Sequence, residues 1–149
     1  DDLRIRETIP SVKRTVPVKL IRKKAVLGEV QMEMRIVGTT EVWFDLVKRP
    51  VVAGRTIVAD DITRMAPVCV LTEYGARRLL ATRNTIGQAI RFGSETFEVI
   101  GIMQSEEGGA GVQIPDQKVD AYIPINVCVK RFGEIDFQRS SGSFQVEKV

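Results

Sequence analysis

Histidine is absent from all 149 residues, so the side chains that could do chemistry here are carboxylates, hydroxyls and two thiols. Its absence removes the commonest general base, the commonest metal ligand and every Ser-His or Cys-His arrangement. Two adjacent acidic pairs, Asp60-Asp61 and Glu106-Glu107, remain as candidates for acid–base work. In extended backbone, neighbours point to opposite faces, which is poor geometry for sharing a proton. Cys69 and Cys128 each sit between valines, without a Cys-x-x-Cys partner, which argues against zinc or redox chemistry. They read as buried thiols acting as small hydrophobes, with a disulfide in an oxidising compartment left open. The segment Ser105 to Gln113 (SEEGGAGVQ) invites a phosphate-loop reading. No Lys-Ser/Thr pair closes it, no helix follows, and Glu106-Glu107 would repel an anion. We expect a mobile loop there, and no catalytic set, metal ligand or cofactor site in the chain.

Charge adds little. The formal balance is +3 and the isoelectric point about 9.0. The tightest basic run, Arg22-Lys23-Lys24, follows Lys13-Arg14 without interleaved aromatics, so nucleic acid is not an expected partner. It reads as a solvated hairpin tip. The alternative is a stand-alone β-rich binding module that uses residues 13–24 to hold an anionic partner. A hydrolase ranks below both, because no carboxylate pair belongs to a recognisable motif. Nowhere does the chain approach the ~20 apolar residues of a membrane span. The start at Asp1-Asp2-Leu3-Arg4 carries no signal-peptide pattern.

Elements follow from periodicity and punctuation. Asp2 to Ile9 suggests a short helix ended by Pro10. Val30, Met32, Met34 and Ile36 alternate with polar residues, and with Gly28-Glu29 they make residues 12–37 a long hairpin. Pro17 marks an edge or a bulge within it. Trp43 and Phe44 lie in a mixed apolar segment, as core filling or as a partner anchor. Residues 72–83 carry the best helix pattern, with Thr72 as N-cap and Ala76, Leu79 and Leu80 on one face. Strands are expected at Val68 to Leu71, Tyr122 to Val129 and Phe144 to Val149. A hairpin of Ala89 to Phe92 and Thr96 to Met103 turns at Gly93-Ser94.

Between Pro50 and Met103 the punctuation has a fixed order. Gly54-Arg55 precedes Asp60-Asp61, then come Val68-Cys69-Val70-Leu71, Ala76 to Leu80, Ile86-Gly87 and Phe97-Glu98-Val99-Ile100-Gly101-Ile102. That order resembles the extracytoplasmic core domain of MacB-like ABC transporter permeases. Ile9 to Val12, Arg35 to Thr39 and Ala121 to Ile125 extend the resemblance across most of the chain.

The resemblance implies an α+β fold. A small split α/β, porter-like subdomain would come from residues 1–39 plus 138–149, with an inserted β-dominated, sabre-like subdomain at 40–137. It implies a non-catalytic domain that relays ATP-driven change to partner or cargo during export, on the extracytoplasmic face of the bacterial membrane. Membrane attachment would run through helices absent from this chain. Expected partners are a cytoplasmic ATPase domain or subunit, a second permease protomer and a periplasmic adaptor. Gly54, Arg55, Asp60, Gly87 and Gly101 would be structural signature residues, with Arg55 paired to Asp60 or Asp61. Glu106, Glu107, Gly108, Gly109 and Trp43 would be partner-contact candidates. Family pieces missing from both ends predict exposed sheet edges, with partial disorder there or edge-to-edge dimerisation.

Overall fold

A computed structural model describes residues 13–105, 118–133 and 141–147. Eight strands dominate: β1 (Lys13–Leu27), β2 (Val30–Thr39), β3 (Val51–Gly54), β4 (Val68–Thr72), β5 (Ala89–Phe92), β6 (Glu95–Met103), β7 (Ala121–Pro124) and β8 (Ser141–Glu147). Among the described residues four short helices join them: α1 (Glu41–Val47), α2 (Ala59–Thr63), α3 (Glu73–Leu79) and α4 (Ile125–Phe132). The fold is a sheet-dominated α+β arrangement.

The sheet closes on itself. β1 pairs with β2, β2 with β7, β7 with β4, β4 with β6, β6 with β5, and β5 returns to β1 at Ala25–Phe92 and Val26–Arg91. β2–β7 and β4–β6 are parallel, and the other pairs in the circuit are antiparallel. The Gly93 N–H donates to the Lys24 carbonyl at 2.8 Å and fastens the β5–β6 turn to β1 beside the closing pairs. β8 extends the first half of β1, and β3 lies along β6. Closure removes most of the unpaired strand edge that a split sheet would present. The open edges expected near residues 1–12 and 148–149 concern chain outside the described residues.

Period-two alternation sorts the apolar residues into two cores on opposite faces of this sheet. One holds Met34 and Ile36 of β2, Cys69 and Leu71 of β4, Phe92, Phe97, Val99 and Ile123. Ala76 and Leu79 of α3 and Val127 and Cys128 of α4 complete it. Phe97 stands 5.4 Å from Phe92 and 6.1 Å from Phe132, ring to ring. The other core holds Val37, Val68, Val70, Ile100, Met103 and Tyr122 under Trp43 and Phe44 of α1. A bulge opposite Cys69 and Val70 skips Ile100, so Val99 and Ile102 share the first core although three positions apart.

Three expectations need correction. Tyr122 to Val129 is not one strand: β7 stops at Pro124, whose fixed backbone starts α4. The helix expected over 72–83 is capped by Thr72, whose Oγ1 accepts from the Gly75 N–H at 3.0 Å, but ends at Leu79. Leu80 then turns left-handed at φ 61°, and residues 83–85 form a separate 3-10 turn. The run Arg22-Lys23-Lys24 is not a hairpin tip; it lies inside β1 opposite Arg35, Met34 and Glu33 respectively, and the turn comes at Gly28-Glu29. Pro17 is likewise paired, opposite Ser143 of β8.

Candidate functional site: two arginine–aspartate clamps and a loop root

Gly54 and Gly101 mark where two backbones touch. Gly54 has φ +73°, and a Cβ there would strike the Ile100 carbonyl oxygen, while one on Gly101 would strike the carbonyl of Arg55. The Arg55 N–H donates to that same Ile100 carbonyl at 3.0 Å. Only glycine permits both the left-handed turn and the approach. Gly87, at φ +92°, donates its N–H to Val99 at 2.7 Å where the chain enters the β5–β6 hairpin.

Arg55 leaves this crossing and grips α2. Its Nη1 and Nη2 donate to the Asp61 carboxylate at 2.9 and 3.3 Å, and the Val58 N–H donates to Asp61 at 2.9 Å. Asp61 is 1% exposed. Asp60, the neighbour carrying the signature expectation, turns outward and takes Arg64 at 2.7 Å. Of the two carboxylates left open by the sequence, Asp61 is the one that pairs with Arg55.

Burial works to raise the Asp61 carboxyl, but the Arg55 hydrogen bond, the Val58 N–H and the charges of Arg55 and Arg64 outweigh it. The net result holds Asp61 below its ordinary value of 3.8. A carboxyl depressed in this way contributes stability in full above its ordinary value and loses it as pH falls through the folded-state value. Asp61→Asn is expected to melt well below the unsubstituted protein near neutral pH, with the gap closing below about pH 4. A gap independent of pH would contradict the clamp. Arg55 is itself 47% exposed, so Arg55→Ala is expected to cost only about 1 kcal/mol.

A second clamp was not foreseen. Asp120, fully buried just before β7, takes both carboxylate bonds from Arg78 Nη1 at 2.8 Å and a third from the Arg35 N–H at 2.9 Å. The Asp120 N–H donates to the Arg35 carbonyl at 2.9 Å, and the Asp120 carbonyl accepts from the Thr72 N–H at 3.0 Å. Arg78 Nη2 reaches the Glu33 carbonyl at 3.0 Å. One buried aspartate, through its carboxylate and its backbone carbonyl, thereby ties β2, β4 and α3 to the entry of β7. Gly75 makes room for it, because a Cβ at 75 would strike the Asp120 carbonyl oxygen. A sequence signal existed in the lone acid of Val119-Asp120-Ala121, set against an apolar strand.

The described residues on either side of 106–117 meet at Tyr74. The Tyr74 N–H donates to Ser105 Oγ at 2.8 Å, and Lys118 Nζ lies 5.3 Å from the Tyr74 ring centroid, with Arg78 at 5.4 Å. Glu106, Glu107, Gly108 and Gly109 lie outside the described residues. Trp43, the other partner-contact candidate, is corrected: it is 0% exposed, packed against Tyr122 at 4.5 Å and Phe44 at 5.0 Å, with Arg49 over its ring. It fills the core and presents nothing to a partner. Cys69 and Cys128 are free buried thiols, and burial pushes Cys128 up to about 11 and Cys69 further still. No group of metal-ligating side chains occurs among the described residues.

These side chains hold backbone: each clamp, close approach and cap fixes one segment against another. The chain matches the MacB-like periplasmic core domain family over residues 1–147 and belongs to that family. It is an extracytoplasmic domain of the ABC transporter permease type. Among described residues no helix is long and apolar enough to cross a membrane.

Relatives agree. The chain is 26% identical over 94 residues to the macrolide export ATP-binding/permease protein MacB of Aggregatibacter actinomycetemcomitans, covering 63% of this chain and 14% of that protein. It is 25% identical over 138 residues to the pyoverdine export ATP-binding/permease protein PvdT of Pseudomonas putida, covering 91% and 21%. The crystal structure of the periplasmic region of MacB from Actinobacillus actinomycetemcomitans superposes with a TM-score of 0.70 at 21% identity. That likeness, over 99% of this chain and 63% of the other, concerns the fold. The chain thus spans only 14% and 21% of the lengths of these two curated relatives.

Proposed function

We propose that the chain is the extracytoplasmic domain of an ATP-driven export permease and relays nucleotide-driven change to a partner or cargo. It does no chemistry itself. The observation that carries this is the family match across residues 1–147, whose relatives include two export ATP-binding/permease proteins. The physical support is rigidity. A sheet closed on itself and cored on both faces moves as a unit, because packed interiors transmit displacement better than they absorb it. The partners are a cytoplasmic ATPase domain or subunit, a second permease protomer and a periplasmic adaptor.

On this account the segment bearing Glu106, Glu107, Gly108 and Gly109 is the contact surface, and the described residues on either side of it meet at Tyr74, so that movement of the body reaches it. The two-part division, 1–39 plus 138–149 against 40–137, belongs to the same proposal as a division of the sequence, which the sheet joins through the β2–β7 and β1–β5 pairs. The test is purification of the parent protein from membranes through a tag on this domain. ATP hydrolysis that co-purifies and falls when Ser105→Ala removes the bond to the Tyr74 N–H supports the relay. A parent protein that carries no ATPase, alone or in complex, overturns it.

A further inference from the structure

A polar pocket of about 180 Å³ opens beside the Asp120 clamp, lined by Arg22, Glu33, Met34, Arg35 and Arg78. Arg22 of β1 and Arg35 of β2 stand directly opposite each other in the antiparallel pair. Like charges in that relation destabilise a sheet unless something neutralises them. Arg78 is added as a third guanidinium, held in place by Asp120 and the Glu33 carbonyl. Arg35 Nε is buried and has no hydrogen-bond partner among the described residues. An unsatisfied buried donor is costly, and the residue that carries it also lines the pocket, which leaves its guanidinium short of an acceptor there.

From this arrangement we infer that the pocket binds one carboxylate, presented by an acidic residue of a peptide segment. Charge selects the ligand. Arg78 is already paired with Asp120, and among the remaining lining residues Arg22 and Arg35 stand against Glu33 alone, which leaves a single positive charge in excess for a monoanion to neutralise. Guanidinium forks match the planar carboxylate bidentately, and a dianion would overshoot the balance. Asp120 already occupies Arg78 Nη1, so the incoming group falls to Arg35 and Arg22. The inference concerns this pocket alone and stands whether or not the domain moves during transport.

The experiment is an amide NMR titration of the 149-residue chain with acetyl-Gly-Glu-Gly-amide, its Gln counterpart and inorganic phosphate. The Glu peptide is expected to shift Arg22, Arg35 and Arg78 saturably, bind at least tenfold more tightly than the Gln peptide and weaken with salt. Arg35→Gln and the exposed Arg22→Gln should each weaken it at least tenfold, with Arg22→Gln melting at or above the original temperature. Should Arg35→Gln fail to fold, Arg22→Gln alone decides. Equal binding of Glu and Gln peptides, phosphate binding as tightly as the Glu peptide, or indifference to Arg22→Gln would each overturn the assignment.

Discussion

Gly54→Ala is expected to destabilise the domain by about 4 kcal/mol, a large part of the 5–15 kcal/mol that holds a typical domain folded. Two costs combine at this residue. Alanine must adopt φ +73°, a left-handed conformation that costs a residue with a Cβ about 1–2 kcal/mol. The new methyl must also displace the Ile100 carbonyl and the Gly101 Cα, which lies 2.9 Å from it, in a paired strand that has nowhere to move. Overpacking of that kind adds about 1–3 kcal/mol. Gly28→Ala supplies the comparison. Gly28 shares the left-handed backbone at φ +61°, but nothing lies within 4 Å of its Cβ position. It is expected to cost about 1 kcal/mol. Equal losses in urea denaturation of the two variants would mean that backbone conformation alone explains Gly54 and that the β3–β6 approach does not constrain it.

Asp120→Ala is the second large effect, at about 3 kcal/mol. Removing one partner from a buried ion pair leaves the other charge short of a counter-ion. Here it also orphans the Arg35 N–H, which Asp120 accepts at 2.9 Å. Arg78 keeps 30% of its side-chain surface in water, which holds the expected loss at the low end of the range for buried pairs. Asp60→Ala removes the exposed Arg64 pair and should change stability by no more than about 0.5 kcal/mol. If the two aspartate variants melt together, the Asp120 clamp does not organise the root of β7.

Much of the fold was legible because period-two patterning survives wherever a strand has two different faces. Met34 and Ile36 pointed to one core and the Gly93-Ser94 turn to its hairpin, and both follow from local rules. The strand-to-helix change at Pro124 was not legible, since Tyr122 to Val129 is apolar and β-branched whether extended or helical. Length and the fixed φ of Pro124 decide that question, and residue preference does not. Closure of the sheet was hidden for a different reason. It rests on two residue pairs between β1 and β5, more than sixty positions apart, that no local pattern announces.

The site divides in the same way. Gly54, Arg55 and Gly101 were visible because a left-handed turn and a close approach demand particular residues at particular positions. Asp61 could not be separated from Asp60 by sequence, because only the helical geometry of α2 turns one carboxylate inward and the other out. Asp120 was missed because its partners, Arg78 and Arg35, lie 42 and 85 positions away. Trp43 was read both ways. An aromatic pair beside a strand end satisfies a partner anchor and a core plug equally well until its burial is known.

The most direct measurement is the distance between the two copies of this domain that the proposed permease dimer would bring together, through a spin label on Glu29→Cys at the exposed β1–β2 turn. Cys69 and Cys128 are buried and leave that site as the one accessible thiol among the described residues. The relay account predicts that the distance distribution shifts when ATP replaces the nucleotide-free state, and returns after hydrolysis. An identical distribution in both states, from a permease that still hydrolyses ATP, would contradict it.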